Sequence, residues 1–216
     1  MCKYNTVIFD LDGTLTDPAI GITNSAAYAL AKWGIEVSDR SELYKFIGPP
    51  LLDSFGNYYG FSREDSERAV EYFREYFSSK GMFENSVYEG IPAVLSELRA
   101  RGKKLIVATS KAEVFAKQIL EHFDLDGYFD FVSGATLDSS RVKKADVIEY
   151  ALKSCGIDDI DDVIMVGDRD FDVIGASHFG MDSIGVTYGY GGREELSVAG
   201  ATYIADLPCE ILDVVK

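Results

Sequence analysis

The chain has 216 residues, 47% hydrophobic, 12% aromatic and 26% charged, which excludes a disordered chain and fits one sizeable core or two modest ones. Its formal net charge of −15 argues against nucleic-acid backbones and anionic membranes as general partners, and no stretch approaches the ~20 apolar residues of a membrane span. "MCKYN" lacks the basic stretch and apolar core of a secretory signal, and Cys2, Cys155 and Cys209 are too few and too scattered for a disulfide framework or a zinc cluster, so we expect reduced thiols and a cytoplasmic protein.

In chain order, the first element is "NTVIFDL" (5–11), apolar without polar alternation, the pattern of a strand buried on both faces. It ends in Asp10 and Asp12, and Gly13 then lets the chain turn. Strand geometry, if it persists that far, points both carboxylates the same way. Two acids so close repel unless a cation joins them, so the pair reads as a divalent-metal site or as a turn with an Asx cap. From Ala19 to about Gly81 the patterns are helical. The clearest is "SREDSERAVEYFREYFSSKG" (62–81), with an apolar stripe of Ala69, Tyr72, Phe73, Tyr76 and Phe77 and a capping pair, Ser62 and Asp65. We therefore expect an all-helical insert at 17–81, without flexible Gly/Ser tethers. Within it, Gly48, Pro49 and Pro50 read as a shaped loop or a plain connector, and Lys45 as an anion contact or a surface lysine.

Beyond the insert, strand and helix alternate. Strands are expected at "KKLIVATS" (103–110), "DFVSGAT" (130–136), "DVIMVGD" (162–168), "DSIGVTYG" (182–189) and, more weakly, "ATYIAD" (201–206). Helices are expected at "IPAVLSELRARG" (91–102), "AEVFAKQILEHF" (112–123) and "KADVIEYALKSCG" (144–156). This is the pattern of an α/β, Rossmann-like, mainly parallel sheet flanked by helices, with ligand sites beyond the carboxyl ends of its strands. Thr109 and Ser110 stand at one such end, either as an ordinary helix cap or as donors to a phosphate oxygen. Lys143 and Lys144 open a helix, where a cation opposes the dipole and is not placed for helix stability. Asp168 follows another buried strand and a glycine, while Asp170 and Asp172 open the next helix as caps or as further acids of a cluster.

The order D-x-D-G-T, Thr-Ser, Lys, G-D-x-x-x-D resembles the haloacid dehalogenase-like hydrolase superfamily across essentially the whole chain. "FIGPPLLDSF" (46–55) and "GVTYGYGGREEL" (185–196) are similar to segments of its phosphoglycolate phosphatase-like branch. The resemblance implies a catalytic core at 1–16 and 82–216 with strand order three, two, one, four, five, and a mobile helical cap domain at 17–81. It implies that Asp10 is the nucleophile forming an aspartyl phosphate and that Asp12 is general acid and then general base. Mg²⁺ would be held by Asp10, the main-chain carbonyl of Asp12 and Asp168, with Asp172 supporting its water shell. Thr109 would bind the transferring phosphoryl group, with Gly13, Thr14 and Ser110 beside it, and a lysine would balance its charge. Taking "KADVIEYAL" as the start of the helix favours Lys144 for that task and leaves Lys143 solvated or near the entrance. Lys45 would meet a second anionic group of the substrate.

Dehalogenases lack the second aspartate, so Asp12 favours phosphoryl transfer over carbon–halogen cleavage. The implied activity is a Mg²⁺-dependent phosphatase acting on a small phosphomonoester, phosphoglycolate-like or a nucleoside monophosphate. The alternatives are a β-phosphoglucomutase-like phosphotransferase, a pyrophosphatase and a non-catalytic phosphate- or Mg²⁺-binding protein. The expected partner is a small-molecule phosphate ester, with no nucleic acid and no membrane, and the expected state is a monomer or homodimer.

Overall fold

The computed structural model describes residues 4–138 and 140–216, so Cys2 lies outside the described residues. Two compact units divide the chain: one comprises the residues up to Asp17 together with Val87–Lys216, the other Pro18–Ser86.

The strands are β1 (Thr6–Phe9), β2 (Thr16–Asp17), β3 (Ser86–Val87), β4 (Lys104–Ala112), β5 (Phe131–Ala135), β6 (Val163–Gly167), β7 (Asp182–Val186) and β8 (Tyr203–Ala205). Six form one sheet in the order β5-β4-β1-β6-β7-β8, and every neighbouring pair in it is parallel. Leaving aside the short β2–β3 pair, this is the expected three-two-one-four-five order with a sixth strand added at one edge. Central β1 carries Val7, Ile8 and Phe9 with no exposed surface, and Ile8 lies opposite both Ile106 of β4 and Met165 of β6. A strand covered on both faces has no polar alternation to keep, which is why its sequence is an unbroken apolar run.

The helical unit contains α1 (Ala19–Ala31), α2 (Leu51–Tyr59) and α3 (Arg63–Tyr76). The hydroxyl of Ser62 caps α3 by accepting from the Asp65 N–H at 3.1 Å. Of the expected stripe, Ala69, Phe73 and Phe77 are buried, while Tyr72 and Tyr76 are half-buried. The helix does not run unchanged to Gly81, because Phe77–Gly81 is a π-helical turn. The unit has its own aromatic core, with Phe46 against Phe55 at 5.0 Å between ring centroids and Phe73 against Phe77 at 5.5 Å.

Residues 82–86, expected in the catalytic core, belong to this unit. Glu84 holds them there: its carbonyl accepts from the Gly21 N–H at 2.9 Å, and its carboxylate accepts from Asn24 Nδ2 at 3.0 Å and from the Tyr76 hydroxyl at 3.2 Å.

In the sheet unit, α4 (Ile91–Ala100), α5 (Glu113–His122), α6 (Lys144–Ser154), α7 (Asp170–His178), α8 (Gly192–Ala199) and α9 (Ile211–Val214) follow in turn. Val147, Ile148, Ala151 and Leu152 of α6 pack with Ile8, Ile106 and Met165, which fixes the helix over the centre of the sheet. Each large aliphatic side chain so buried contributes ~1.5–3 kcal/mol. No helix of the described residues is long and apolar enough to cross a membrane.

Candidate active site

Asp10 stands one residue beyond β1, and its N–H donates to the Val166 carbonyl at 2.9 Å. The ladder thus carries the backbone one step past the strand and sets the carboxylate between the ends of β4 and β6. Asp12 lies in the tight turn that follows, where the Gly13 N–H donates to the Thr16 carbonyl at 2.7 Å. Gly13 has φ +84°, and a Cβ there would sit 2.2 Å from Asp168 Oδ2, so only glycine allows both the turn and the approach of the second acid.

Asp168 follows β6 and is fully buried. Its two oxygens accept from the Thr14 hydroxyl at 3.2 Å and from the Tyr190 N–H at 2.8 Å. Thr14, expected beside the phosphate, therefore has its hydroxyl on an acid of the cluster. Asp172, in the first turn of α7, accepts from the Arg169 N–H at 3.1 Å through Oδ2, and its Oδ1 faces Lys144 at 2.7 Å. It caps the helix and joins the cluster at once. Asp170 instead accepts the Phe171 N–H at 2.8 Å.

Of the two candidate lysines, Lys144 is brought to the acids. Its Nζ lies 2.7 Å from both Asp10 Oδ1 and Asp172 Oδ1 and donates to the Ala108 carbonyl at 3.1 Å. Lys143 is exposed at the cap position, its N–H donating to Asp146 at 3.3 Å. Lys45 is an exposed residue of the helical unit, with its ammonium 4.9 Å and 4.8 Å from the ring centroids of Tyr58 and Tyr59.

The end of β4 departs from the expected reading. Thr109 and Ser110 lie within the strand, and the cap position of α5 is Ala112, which makes no side-chain cap. Ala108 pairs with Ser133 but Ala112 with Ala135, so β4 uses two more residues than β5 over the same interval. Such irregularities re-aim side chains. Here the Lys111 ammonium reaches Asp12 Oδ2 at 2.5 Å, with both side chains nearly buried, and the Lys111 N–H donates to the Thr109 hydroxyl at 3.3 Å. Thr109 itself is buried. Lys111 is not among the residues that the sequence singles out, and its one signal there is its place directly after Thr109 and Ser110.

Burial pushes the Asp12 carboxyl up, against the pull of Lys111. Burial, then Asp172 and Asp10, hold Asp168 well above the usual carboxylate range, and burial lifts Asp172 to about 6 despite Lys144. Burial alone would depress Lys144, but Asp10 and Asp172 raise it, so it stays an ammonium. When all four carboxyls are ionised they outnumber the two ammonium groups by two, an excess that a dication would neutralise. Asp10, Asp168 and Asp172 offer oxygens that all lie within 4.8 Å of one another, and a hard divalent cation takes such a donor set. The Asp12 side chain is not one of these three; Lys111 holds one of its oxygens, and Oδ1 has no hydrogen-bond partner among the described residues.

Residues 7–186 match the family described as haloacid dehalogenase-like hydrolase. A 5′-nucleotidase of Pseudomonas aeruginosa is 46% identical over 206 residues, covering 95% of this chain and 93% of that protein. The tyrosine-protein kinase PtkA of Mycobacterium tuberculosis is 39% identical over 199 residues, 92% of this chain and 67% of PtkA. Among solved structures, a predicted phosphatase from Clostridium acetobutylicum has 54% identity and a TM-score of 0.94, over 98% of this chain and 99% of that one.

Proposed function

Since the chain belongs to the haloacid dehalogenase-like hydrolases, we propose that it is a Mg²⁺-dependent phosphatase of small phosphomonoesters, nucleoside 5′-monophosphates first among them, working through an aspartyl phosphate. The observation that carries this reading is the buried cluster at the strand ends: a carboxylate triad, a lysine bridging two of its members, and a second acid, Asp12, held apart on its own lysine. The preference for nucleotides rests on the likeness to the 5′-nucleotidase.

The Asp10 carboxylate, 2.7 Å from the Lys144 ammonium, attacks phosphorus, and the bond from phosphorus to the ester oxygen breaks. The departing alkoxide takes a proton from Asp12, whose raised pKa lets a fraction of it carry one. In the second half, Asp12 accepts a proton from the attacking water, the bond from phosphorus to the Asp10 oxygen breaks, and inorganic phosphate leaves with both carboxyls restored. Asp10, Asp168 and Asp172 would hold Mg²⁺, which when bound offsets the repulsion between the carboxylate nucleophile and the phosphate dianion. Lys144, 2.7 Å from Asp10, balances the charge of the phosphoryl group as it moves. The fate of the aspartyl phosphate separates this reading from a phosphotransferase, in which a hydroxyl replaces water as the acceptor.

The test is phosphate release from nucleoside monophosphates, phosphoglycolate, a hexose phosphate and pyrophosphate, with Mg²⁺ and with chelator. Release that needs Mg²⁺, is fastest on nucleotides and disappears in Asp10→Asn is expected. Phosphate appearing on an added alcohol or sugar rather than in solution would favour the transferase. Full release in the presence of chelator would overturn the metal requirement.

A further inference from the structure

The segment from Tyr188 to Glu195 follows β7, and none of its residues is among the acids or lysines of the cluster. Yet its hydrogen bonds converge on them. The Tyr190 N–H donates to Asp168 Oδ2 at 2.8 Å, and the Gly191 N–H donates to the Asp168 carbonyl at 3.1 Å. The Tyr188 hydroxyl donates to the Thr14 carbonyl at 3.0 Å, and the Tyr190 hydroxyl to the Asp17 carboxylate. Further on, Glu195 Oε1 accepts both from Arg169 Nε at 2.8 Å and from the Asp170 N–H at 3.0 Å. The turn after β1, the turn after β6 and the turn after β7 are therefore tied together, with Asp168 at the knot. At Gly189 a Cβ would stand 2.3 Å from the Gly13 carbonyl and 2.4 Å from Asp168 Cβ, so the three turns approach too closely there for any side chain.

Glu195 is the telling residue. An acid in the first turn of a helix stabilises that helix's own N-terminus, and Glu194 beside it, exposed, is enough for that. The Glu195 side chain instead leaves α8 and spans the two residues that join Asp168 to the first turn of α7, where Asp172 sits. Loss of an outer partner that hydrogen-bonds a ligand typically weakens metal binding about 10–100-fold; Glu195 bonds the chain neighbours of Asp168 and Asp172 rather than the ligands themselves, which puts it at the lower end of that range.

Resting on the metal requirement proposed above, we infer that Tyr188–Glu195 is the positioning shell of the metal site, and that Glu195 is a positioning residue acting through Asp168 and Asp172. It does not touch the reacting atoms.

The test is calorimetric titration of Mg²⁺ into the full chain and its variants, alongside kcat and KM at saturating Mg²⁺. Glu195→Ala is expected to weaken Mg²⁺ binding by about tenfold while kcat at saturating metal stays within about threefold of wild type. Glu195→Gln is expected to stay within about threefold in affinity, because its amide oxygen still accepts from both donors. Tyr190→Phe, which removes one hydroxyl and leaves the backbone bond to Asp168, is the second probe should the alanine variant fail to fold; a roughly threefold weakening is expected. Wild-type affinity in the alanine variant, or in Tyr190→Phe where that variant stands in for it, overturns the inference. So does equal loss in the alanine and glutamine variants, because a packing or net-charge role would not separate them. Failure of the wild-type chain to bind Mg²⁺ overturns the metal requirement and this inference together, whereas wild-type binding with unaffected variants removes this inference alone.

Discussion

Lys111 and Lys144 divide the acids between them: one holds Asp12, the other lies between Asp10 and Asp172. The two carboxylates of the first motif thereby have different chemistry although they are two residues apart. Asp10 lies against an ammonium that it shares with Asp172, and Asp12 is turned to a separate cation against a burial cost that favours the proton. Lys144→Ala should lower kcat for phosphate release by about 10²-fold or more, since it leaves two buried carboxylates without their cation. Lys143→Ala, at an exposed position, should stay within about threefold. A larger loss at Lys143 would refute the assignment. Lys111→Met keeps the length of the side chain and removes the charge. It should lower kcat by about 10–100-fold with little change in KM, because Asp12 would lose the partner that orients it for both proton transfers. An unchanged kcat would mean that the pair is idle in turnover.

At the scale of elements, the strands were legible because burial on both faces leaves no choice but apolar residues, as in Val7–Phe9 and Val163–Val166. Asp10, Asp168 and Lys144 follow from that pattern once the strand ends are known, because the ends of neighbouring parallel strands lie together. Lys111 did not follow. Its position depends on the two extra residues that β4 takes between Ala108 and Ala112, and no residue type marks such an irregularity. The role of the loop after β7 was hidden for another reason: the bonds from Tyr190 and Gly191 to Asp168 come from backbone N–H groups, which every residue but proline possesses. The return from the helical unit lies five residues beyond the end of the helical pattern at Gly81, and the sequence hides this because Glu84, which ties 82–86 to α1 and α3, reads as an ordinary surface acid. The resemblance that makes Lys45 a contact for a second anionic group of the substrate would put substrate choice in the helical unit, and the Gly48–Pro50 loop that follows Lys45 in the chain tests it. Gly48 has φ +102° and Pro50 precedes α2, so the loop is shaped by residue type. Replacing Gly48, Pro49 and Pro50 should re-rank the phosphomonoester panel while altering the best rate by no more than about tenfold. An equal change toward every substrate would place selection elsewhere.

For the molecule as a whole, the formal charge of −15 makes metal and stability one question. Up to two of those negative charges are an uncompensated excess at the site inside the fold, where charge costs most. The Asp172 carboxyl is raised by burial to about 6 in the folded chain, above the ~3.9 of an unfolded aspartate. Between those pH values the folded state binds a proton that the unfolded state does not, so stability falls as pH rises through that window and the full cost is present above it. Asp168, raised by the same burial and by its acidic neighbours, acts in the same direction. Chemical denaturation of metal-free protein should therefore show greater stability at pH 5.5 than at pH 7.5, with Asp172 contributing about 1 kcal/mol of the difference, since most of its effect lies below pH 5.5. General repulsion in an acidic protein also eases as pH falls, so the slope by itself would not locate the cause. Mg²⁺ does. A dication taken up by the cluster should stabilise more at pH 7.5 than at pH 5.5, and by RT ln(1 + [L]/Kd) at each pH. Asp172→Asn should flatten both the pH slope and the Mg²⁺ effect. Metal-free stability that rises from pH 5.5 to 7.5, or an Mg²⁺ effect untouched by Asp172→Asn, would show that these carboxylates are not where the charge of the fold is balanced.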